Sequence, residues 1–347
     1  MSSDGSIIMK VNKLPTGYLF SKEYSKGHLE TLSIGDYGKH VNIKADFLGY
    51  YRELNGVPNV PCMPLQEKWV ITLSTQYGCP MRCTFCDVPK IGMKGNATFE
   101  DLKDQFYTAI SMFPKVKYTE RMNIHFARMG EPIFNQAVFD FAIWLFDNKR
   151  KIKEDTGLSI ETLHPVLTTS LPRKFKKLED NIKNWVNIKN EKYNGQAGLQ
   201  FSINSTCDKQ RSEMYQGDQI LLEDLAKICD KLPSPVSRKY CLNFAYATGF
   251  EVDGVKLRSL FDPEKFMCKI TPIHNNETCR QNGIETVEGY SSFSPYKDVE
   301  ESLKKAGFDV LVFIPSMDEE DGLVTCGNLA LSGSAPKTSE RIDIIGL

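Results

Sequence analysis

Cys79, Cys83 and Cys86 stand in the stretch Gly-Cys-Pro-Met-Arg-Cys-Thr-Phe-Cys, a CxxxCxxC run with the aromatic Phe85 before its last cysteine. Three thiolates on one short loop can hold three irons of a 4Fe–4S cluster and leave the fourth iron open. An open iron beside a protein loop is a place where a small molecule can bind and be cleaved. A structural zinc site would need a fourth ligand and usually a second paired knuckle. The other cysteines, Cys62, Cys207, Cys229, Cys241, Cys268, Cys279 and Cys326, are scattered and form no second CxxC. A disulfide framework is not expected in a chain this long that carries no secretion signal.

Further polar residues cluster in short motifs downstream. Met129-Gly130-Glu131-Pro132 pairs a glycine, which lets backbone approach a ligand closely, with a carboxylate able to hold an ammonium or a ribose hydroxyl. Thr168-Thr169-Ser170 and Ser202-Ile203-Asn204 end two strand-like runs, where they could ring a ligand or simply cap the helices that follow. The stretch Leu323-Val-Thr-Cys326-Gly-Asn-Leu329 puts a thiol beside a glycine, an accessible setting for thiol chemistry. Composition alone would make Cys326 one more buried cysteine.

The elements that must position these residues are an alternation of strands and helices. Strands fit Val70–Thr75, Met122–Ala127, Val166–Thr169, Leu199–Ile203, Tyr240–Tyr246, Cys268–Thr271 and Val310–Ile314. Helices fit a run opened by the capping box Thr98-Phe-Glu-Asp101, one capped by Asn135, and Leu178–Ile188, Leu221–Leu232 and Val299–Ala306. Strand then helix, repeated about six times, predicts an α/β fold: a partial (β/α)6 TIM-type barrel whose chemistry lies at the C-terminal ends of its strands. Residues 66–333 form this core. Residues 1–65 read as a small β-rich N-terminal appendage, with Pro58, Pro61 and Pro64 as linker, and 334–347 as a C-terminal tail.

The 347 residues are 41% hydrophobic and 25% charged, ordinary for a globular protein. No run of eighteen apolar residues is present and no signal-peptide core is seen, so no membrane contact and a reducing cytoplasm are expected. A net charge of −1 gives no global signal for nucleic acid. The local basic groups Arg173–Lys177 and Lys149–Lys153 read as solvated helix ends.

The cysteine run resembles the cluster loop of radical S-adenosylmethionine (SAM) enzymes, and the motifs that follow resemble, in order, those of the RlmN/Cfr family of methyl synthases. The resemblance is colinear from about Val70 to Gly333. It implies a 4Fe–4S cluster on Cys79, Cys83 and Cys86 and a SAM site. Contacts to SAM fall by that match on Phe85, Gly130, Glu131, Ser170, Ser202, Asn204 and His274 or Asn275. Asn204 stands where the family has histidine and His274 where it has asparagine; both can still donate and accept hydrogen bonds. The family cleaves SAM to a deoxyadenosyl radical, and its members methylate an adenine ring carbon in ribosomal, and for some also transfer, RNA.

By the same resemblance, Cys326 would be the methyl carrier of a class A radical SAM methyltransferase. Glu30, in Leu29-Glu30-Thr31-Leu32, would be a proton acceptor, RNA a partner, and a flavodoxin or ferredoxin the electron donor. The chain departs from the family where Thr72 occupies the position of the resolving cysteine, since a hydroxyl forms no disulfide; Cys62 is the nearest substitute. No helical RNA-binding domain is recognised before Cys79. A second reading therefore keeps the SAM chemistry but directs it at another substrate, such as a nucleotide, a small metabolite or a peptide.

Overall fold

The period-two runs of the sequence assemble into one large sheet. The computed structural model describes residues 8–14, 16–36, 42–45, 53–54, 57–58, 62–274, 276–286, 294–315, 323–324, 327–331 and 340–345. In chain order the strands are β1 (Ile8–Leu14), β2 (Gly17–Tyr24), β3 (Gly27–Gly35), β4 (Asn42–Ala45), β5 (Glu53–Leu54), β6 (Val57–Pro58), β7 (Lys68–Leu73), β8 (Gln76–Tyr77), β9 (Gly95–Asn96), β10 (Tyr118–Phe126), β11 (Ser159–Thr169), β12 (Gly198–Ser202), β13 (Tyr240–Tyr246), β14 (Phe266–Pro272), β15 (Asp309–Pro315) and β16 (Glu340–Ile345). The α-helices are α1 (Phe99–Ser111), α2 (Gln136–Asp147), α3 (Lys149–Thr156), α4 (Leu178–Glu191), α5 (Asp208–Met214), α6 (Leu222–Asp230), α7 (Gly254–Leu260), α8 (Glu277–Gln281), α9 (Ser294–Lys305) and α10 (Asn328–Leu331).

Twelve strands hydrogen-bond in the order β16-β1-β2-β3-β7-β10-β11-β12-β13-β14-β15-β4. From β7 to β15 every adjacent pair is parallel and follows chain order, which is the signature of successive βα units. Closure into a barrel is not seen among the described residues, because β16 and β4 are the two edges of the order. The sheet also exceeds the expected core. The meander β1–β3 joins it antiparallel, with Leu32 opposite Thr72; β4 pairs with β15, and β16 with β1. Strands β1–β4 and β16 are thus continuous with the central sheet, while β5 and β6 form a separate two-stranded ladder. No helix of the described residues is long and apolar enough to cross a membrane.

Two predicted helix starts form as read. Thr98 accepts from the Asp101 amide while Asp101 accepts from that of Thr98, a reciprocal capping box, and the Asn135 side chain accepts from the Ala137 amide. These caps satisfy amides that the first helical turn would otherwise leave unpaired. Helices α1, α2, α4, α6, α7 and α9 supply part of the main core against one sheet face, where Trp69, Ile71, Met122, Ile124, Leu242, Phe244, Cys268 and Ile270 are buried.

The alternate positions on the same strands carry Thr72, Asn123, His125, Asn243, Lys269 and Thr271 beside the apolar Val70, Cys241 and Ala245. Parallel strands covered on both faces are normally apolar throughout. So many polar residues on this side of the sheet mark it as a place for something other than packing alone.

His125 shows the cost of that choice. Burial first, then the nearby Lys269, pushes its imidazole from 6.5 down to about 3. A neutral buried histidine carries no penalty above the unfolded value; as pH falls from about 6.5 towards 3, unfolding takes up a proton and stability is lost. We expect acid sensitivity of up to about 1.4 kcal/mol per pH unit from this group. Urea melts between pH 7 and 4 should show that slope reduced in His125→Gln.

Candidate active site

The cysteine loop leaves β8 and is tied down by two later elements. The Thr84 amide donates to the Met214 carbonyl at 2.9 Å, at the end of α5. Asn276 accepts from the Cys279 amide at 2.7 Å, capping α8, and donates from Nδ2 to the Phe85 carbonyl at 3.0 Å. Asn282 donates to the Thr84 carbonyl at 2.8 Å, and Thr278 bonds the Asp87 carboxylate. The Phe85 ring meets Tyr215 edge-on, with centroids 5.8 Å apart. Asn276 was not singled out by sequence, although an asparagine three residues before a helical amide is a recognisable cap.

Cys79, Cys83 and Cys86 are partly buried and form no disulfide among the described residues. Burial, then Glu131, pushes the Cys79 thiol up to about 12. Cys83 rises well above its ordinary value through burial, Cys86 and Cys79, so the thiols lie near enough to sense one another's charge. Among the described residues, no three Cys, His, Asp or Glu side chains stand in a metal-holding arrangement. The donor set itself, three soft thiols on one loop with no disulfide, fits an iron–sulfur cluster; holding it would require displacing protons that burial favours.

Gly130 and Glu131 are zipped to the strand that feeds this loop. The Met129 carbonyl accepts from the Thr75 amide at 2.7 Å, and the Glu131 amide donates to Gln76 Oε1 at 2.8 Å. Gly130 has φ +99°, and a Cβ there would lie 2.6 Å from Gln76 Cβ, so only glycine fits. The Glu131 carboxylate accepts from the Ser170 amide at 2.6 Å and the Ile133 amide at 3.2 Å. Burial outweighs these bonds and raises its pKa to about 7. Gln219 then bridges the Ser170 and Ser202 carbonyls at 3.0 and 2.6 Å. Asn204 is buried, with its amide already engaged by Tyr215 Oη at 2.7 Å and the Ala245 amide at 2.9 Å. Glu131, Ser170, Ser202 and Asn204 thus share one hydrogen-bonded network.

A chamber of about 420 Å³ opens beside the loop, lined by Phe85 and Cys86 and by Thr72, Lys269, Thr271, His274 and Val324 among others. Cys62 lines a different cavity with Gly35 and Phe113, beside the Trp69 end of β7, which pairs with Gly35. Cys326 and Asn275 lie outside the described residues.

The residues flanking Cys326 are held by a buried ion pair. Glu30, fully buried, accepts from the Gly327 amide at 2.9 Å and the Ala330 amide at 2.7 Å. Arg128 meets it at 3.0 Å through Nε and 2.9 Å through Nη2, and donates from Nη1 to the Val324 carbonyl. Arg128 is not among the residues that the sequence motifs single out; its only signal is a charged residue just after a strand-like run.

No protein-family model matches the chain. It is 36% identical over 73 residues to a probable dual-specificity RNA methyltransferase RlmN from Chlorobaculum tepidum, covering 21% of this chain and 20% of that protein. It is 24% identical over 277 residues to the dual-specificity RNA methyltransferase RlmN from Sorangium cellulosum, covering 78% and 64%. Across these two, the chain spans between a fifth and just under two thirds of its relatives' length. A crystal structure of a radical SAM methyltransferase from Sphaerobacter thermophilus superposes with a TM-score of 0.59 at 16% identity, covering 94% of this chain and 78% of that one, a likeness of fold.

The fold is that of a radical SAM methyltransferase structure. In sequence the chain is RlmN-like, and divergent.

Removing one partner of a buried pair strands the other charge, at a cost of about 3–5 kcal/mol. Arg128→Met should lose that much in urea denaturation, and the double variant Glu30→Gln, Arg128→Met should recover part of it.

Proposed function

We propose that the chain is a radical SAM methyl synthase that passes a methyl-derived carbon through Cys326 to an adenine of ribosomal or transfer RNA. The observation that supports this reading is that Cys86 of the cysteine loop and Val324, two residues before Cys326, line the same chamber. A cluster held by Cys79, Cys83 and Cys86 would supply one-electron cleavage of SAM. The chain's own residues do the remaining work. Gly130 brings backbone close to the ligand, and Glu131, Ser170, Ser202 and Asn204 form the polar network at the strand ends. Phe85, His274 and Asn275 complete the SAM contacts in this proposal.

Glu30 is occupied by Gly327, Ala330 and Arg128. In this reading it positions the carrier loop, which is at odds with a free proton acceptor. An external reductant of flavodoxin or ferredoxin type would deliver the electron, in the cytoplasm.

A second reading directs the same chemistry at another substrate, such as a nucleotide, a small metabolite or a peptide. It is favoured by Thr72, which faces the chamber with a buried hydroxyl where the family resolves its crosslink with a cysteine.

Anaerobically reconstituted protein reduced with dithionite should form 5′-deoxyadenosine from SAM, and Cys86→Ala should abolish it; undiminished cleavage by the variant would remove the cluster assignment. Peptide mass spectrometry should find Cys326 S-methylated after expression with SAM available. An unmodified Cys326 in protein that cleaves SAM would leave the second reading standing. Thr72→Cys should raise RNA methylation if only the resolving step is interrupted.

A further inference from the structure

Lys269, in the middle of β14, points to the polar side of the sheet and has neither ion pair nor hydrogen bond among the described residues. Its ammonium sits 5.1 Å from the centre of the Phe313 ring. It lines the chamber together with Thr72, Asn243 and Thr271. The register groups them: Asn243 pairs with Lys269 across β13 and β14, and Thr271 follows two residues on, on the same face. Thr72 Oγ1, Asn243 Oδ1 and Thr271 Oγ1 are buried and have no hydrogen-bond partner among the described residues.

Buried polar atoms are paired in the great majority of cases, and those that are not call for an explanation. Three unpaired oxygens beside an unpaired ammonium, all lining one chamber, have a common explanation in a ligand. The sign of its charge follows from the neighbours. Burial lowers the Lys269 pKa, and Lys68 and Arg238 add to the effect, against Cys241 and Asp36. Asp36 is itself paired with Lys68 at 2.5 Å. A cation would be repelled here, and a neutral ligand would leave the ammonium uncompensated. An oxyanion compensates it and accepts the hydroxyl hydrogens of Thr72 and Thr271, while Asn243 can turn its amide NH2 inward.

We propose that Lys269, Thr72, Thr271 and Asn243 form an oxyanion subsite in the wall of the reaction chamber, receiving a carboxylate or phosphate of a molecule bound there. The proposal rests on the reading of this chamber as the place of reaction. Two sources carry that chemistry: the α-carboxylate of SAM and a phosphate on the acceptor substrate.

Calorimetric titration of the purified protein with SAM, inorganic phosphate, adenosine 5′-monophosphate and adenosine tests it, comparing wild type with Lys269→Met and Lys269→Arg. Lys269→Met should weaken binding of at least one anionic probe by about tenfold or more, the scale of one charge-assisted hydrogen bond. Lys269→Arg should retain most of it, and adenosine should bind all three alike. A loss confined to SAM assigns the subsite to its carboxylate; a loss for phosphate and the mononucleotide assigns it to the acceptor. Without anion, Lys269→Met should melt no lower than wild type, since it removes an uncompensated, half-buried charge, whereas a structural lysine would lower the melting temperature. Equal affinities of wild type and Lys269→Met for every anion, or no anion binding by wild type, overturns the subsite. If wild type fails to cleave SAM yet Lys269→Met still loses anion binding, the radical reading falls and the subsite stands.

Discussion

The buried pair of Glu30 and Arg128 is the constraint on which the candidate site depends. Two charges taken out of water are tolerable only when their remaining lone pairs and protons are also satisfied. Glu30 achieves this with two backbone amides, from Gly327 and Ala330, and Arg128 with the Val324 carbonyl. The partners that make the pair affordable are therefore the backbone on either side of Cys326. Three parts of the chain meet there: β3, the segment after β10, and the start of α10. The N-terminal meander is for this reason an integral wall of the site, joined to β7 by its own ladder.

A second tie runs through the backbone between β8 and the Gly130-Glu131 turn. The missing Cβ of Gly130 lets Gln76 approach, Gln76 orders the Glu131 amide, and Glu131 orders Ser170. The cysteine loop begins directly after Tyr77 and is fixed from the other side by Asn276 and Asn282. The loop that would hold a cluster and the network that would hold SAM are thus set relative to each other by short-range backbone geometry, which suits chemistry that needs reacting groups held within a fraction of an ångström.

What could be read from the residues alone divides along the same line. CxxxCxxC, Gly130-Glu131 and the hydroxyl-bearing strand ends are local patterns, and the strand–helix alternation is a local periodicity, so all were visible. The capping box at Thr98 and the cap at Asn135 formed where the pattern placed them. Arg128 was invisible because its partner lies 98 residues away. Lys269 lies within a short strand-like run, and nothing in that run says which side faces a cavity. The strands of 1–65 were anticipated as strands, but pairing partners are a property of the whole sheet. Asn204 was foreseen as a polar strand-end residue; its φ of +61° and its bond to Tyr215 belong to tertiary packing.

The distance along the chain between the two halves of the Glu30 clamp has a consequence for how the molecule comes to be. Glu30 and Gly327 are 297 residues apart in sequence. Closing so long a loop is entropically costly and is rewarded only once the intervening sheet exists. By this argument the segment around Cys326 is expected to dock at the end of folding and to be among the first contacts surrendered when the sheet loosens. The ties of the cysteine loop to Asn276 and Asn282 close shorter spans, of 191 and 198 residues, so a damaged molecule could keep that loop in place after the segment around Cys326 has come loose. The order of folding thereby places the element that would receive the chemistry after the element that would start it.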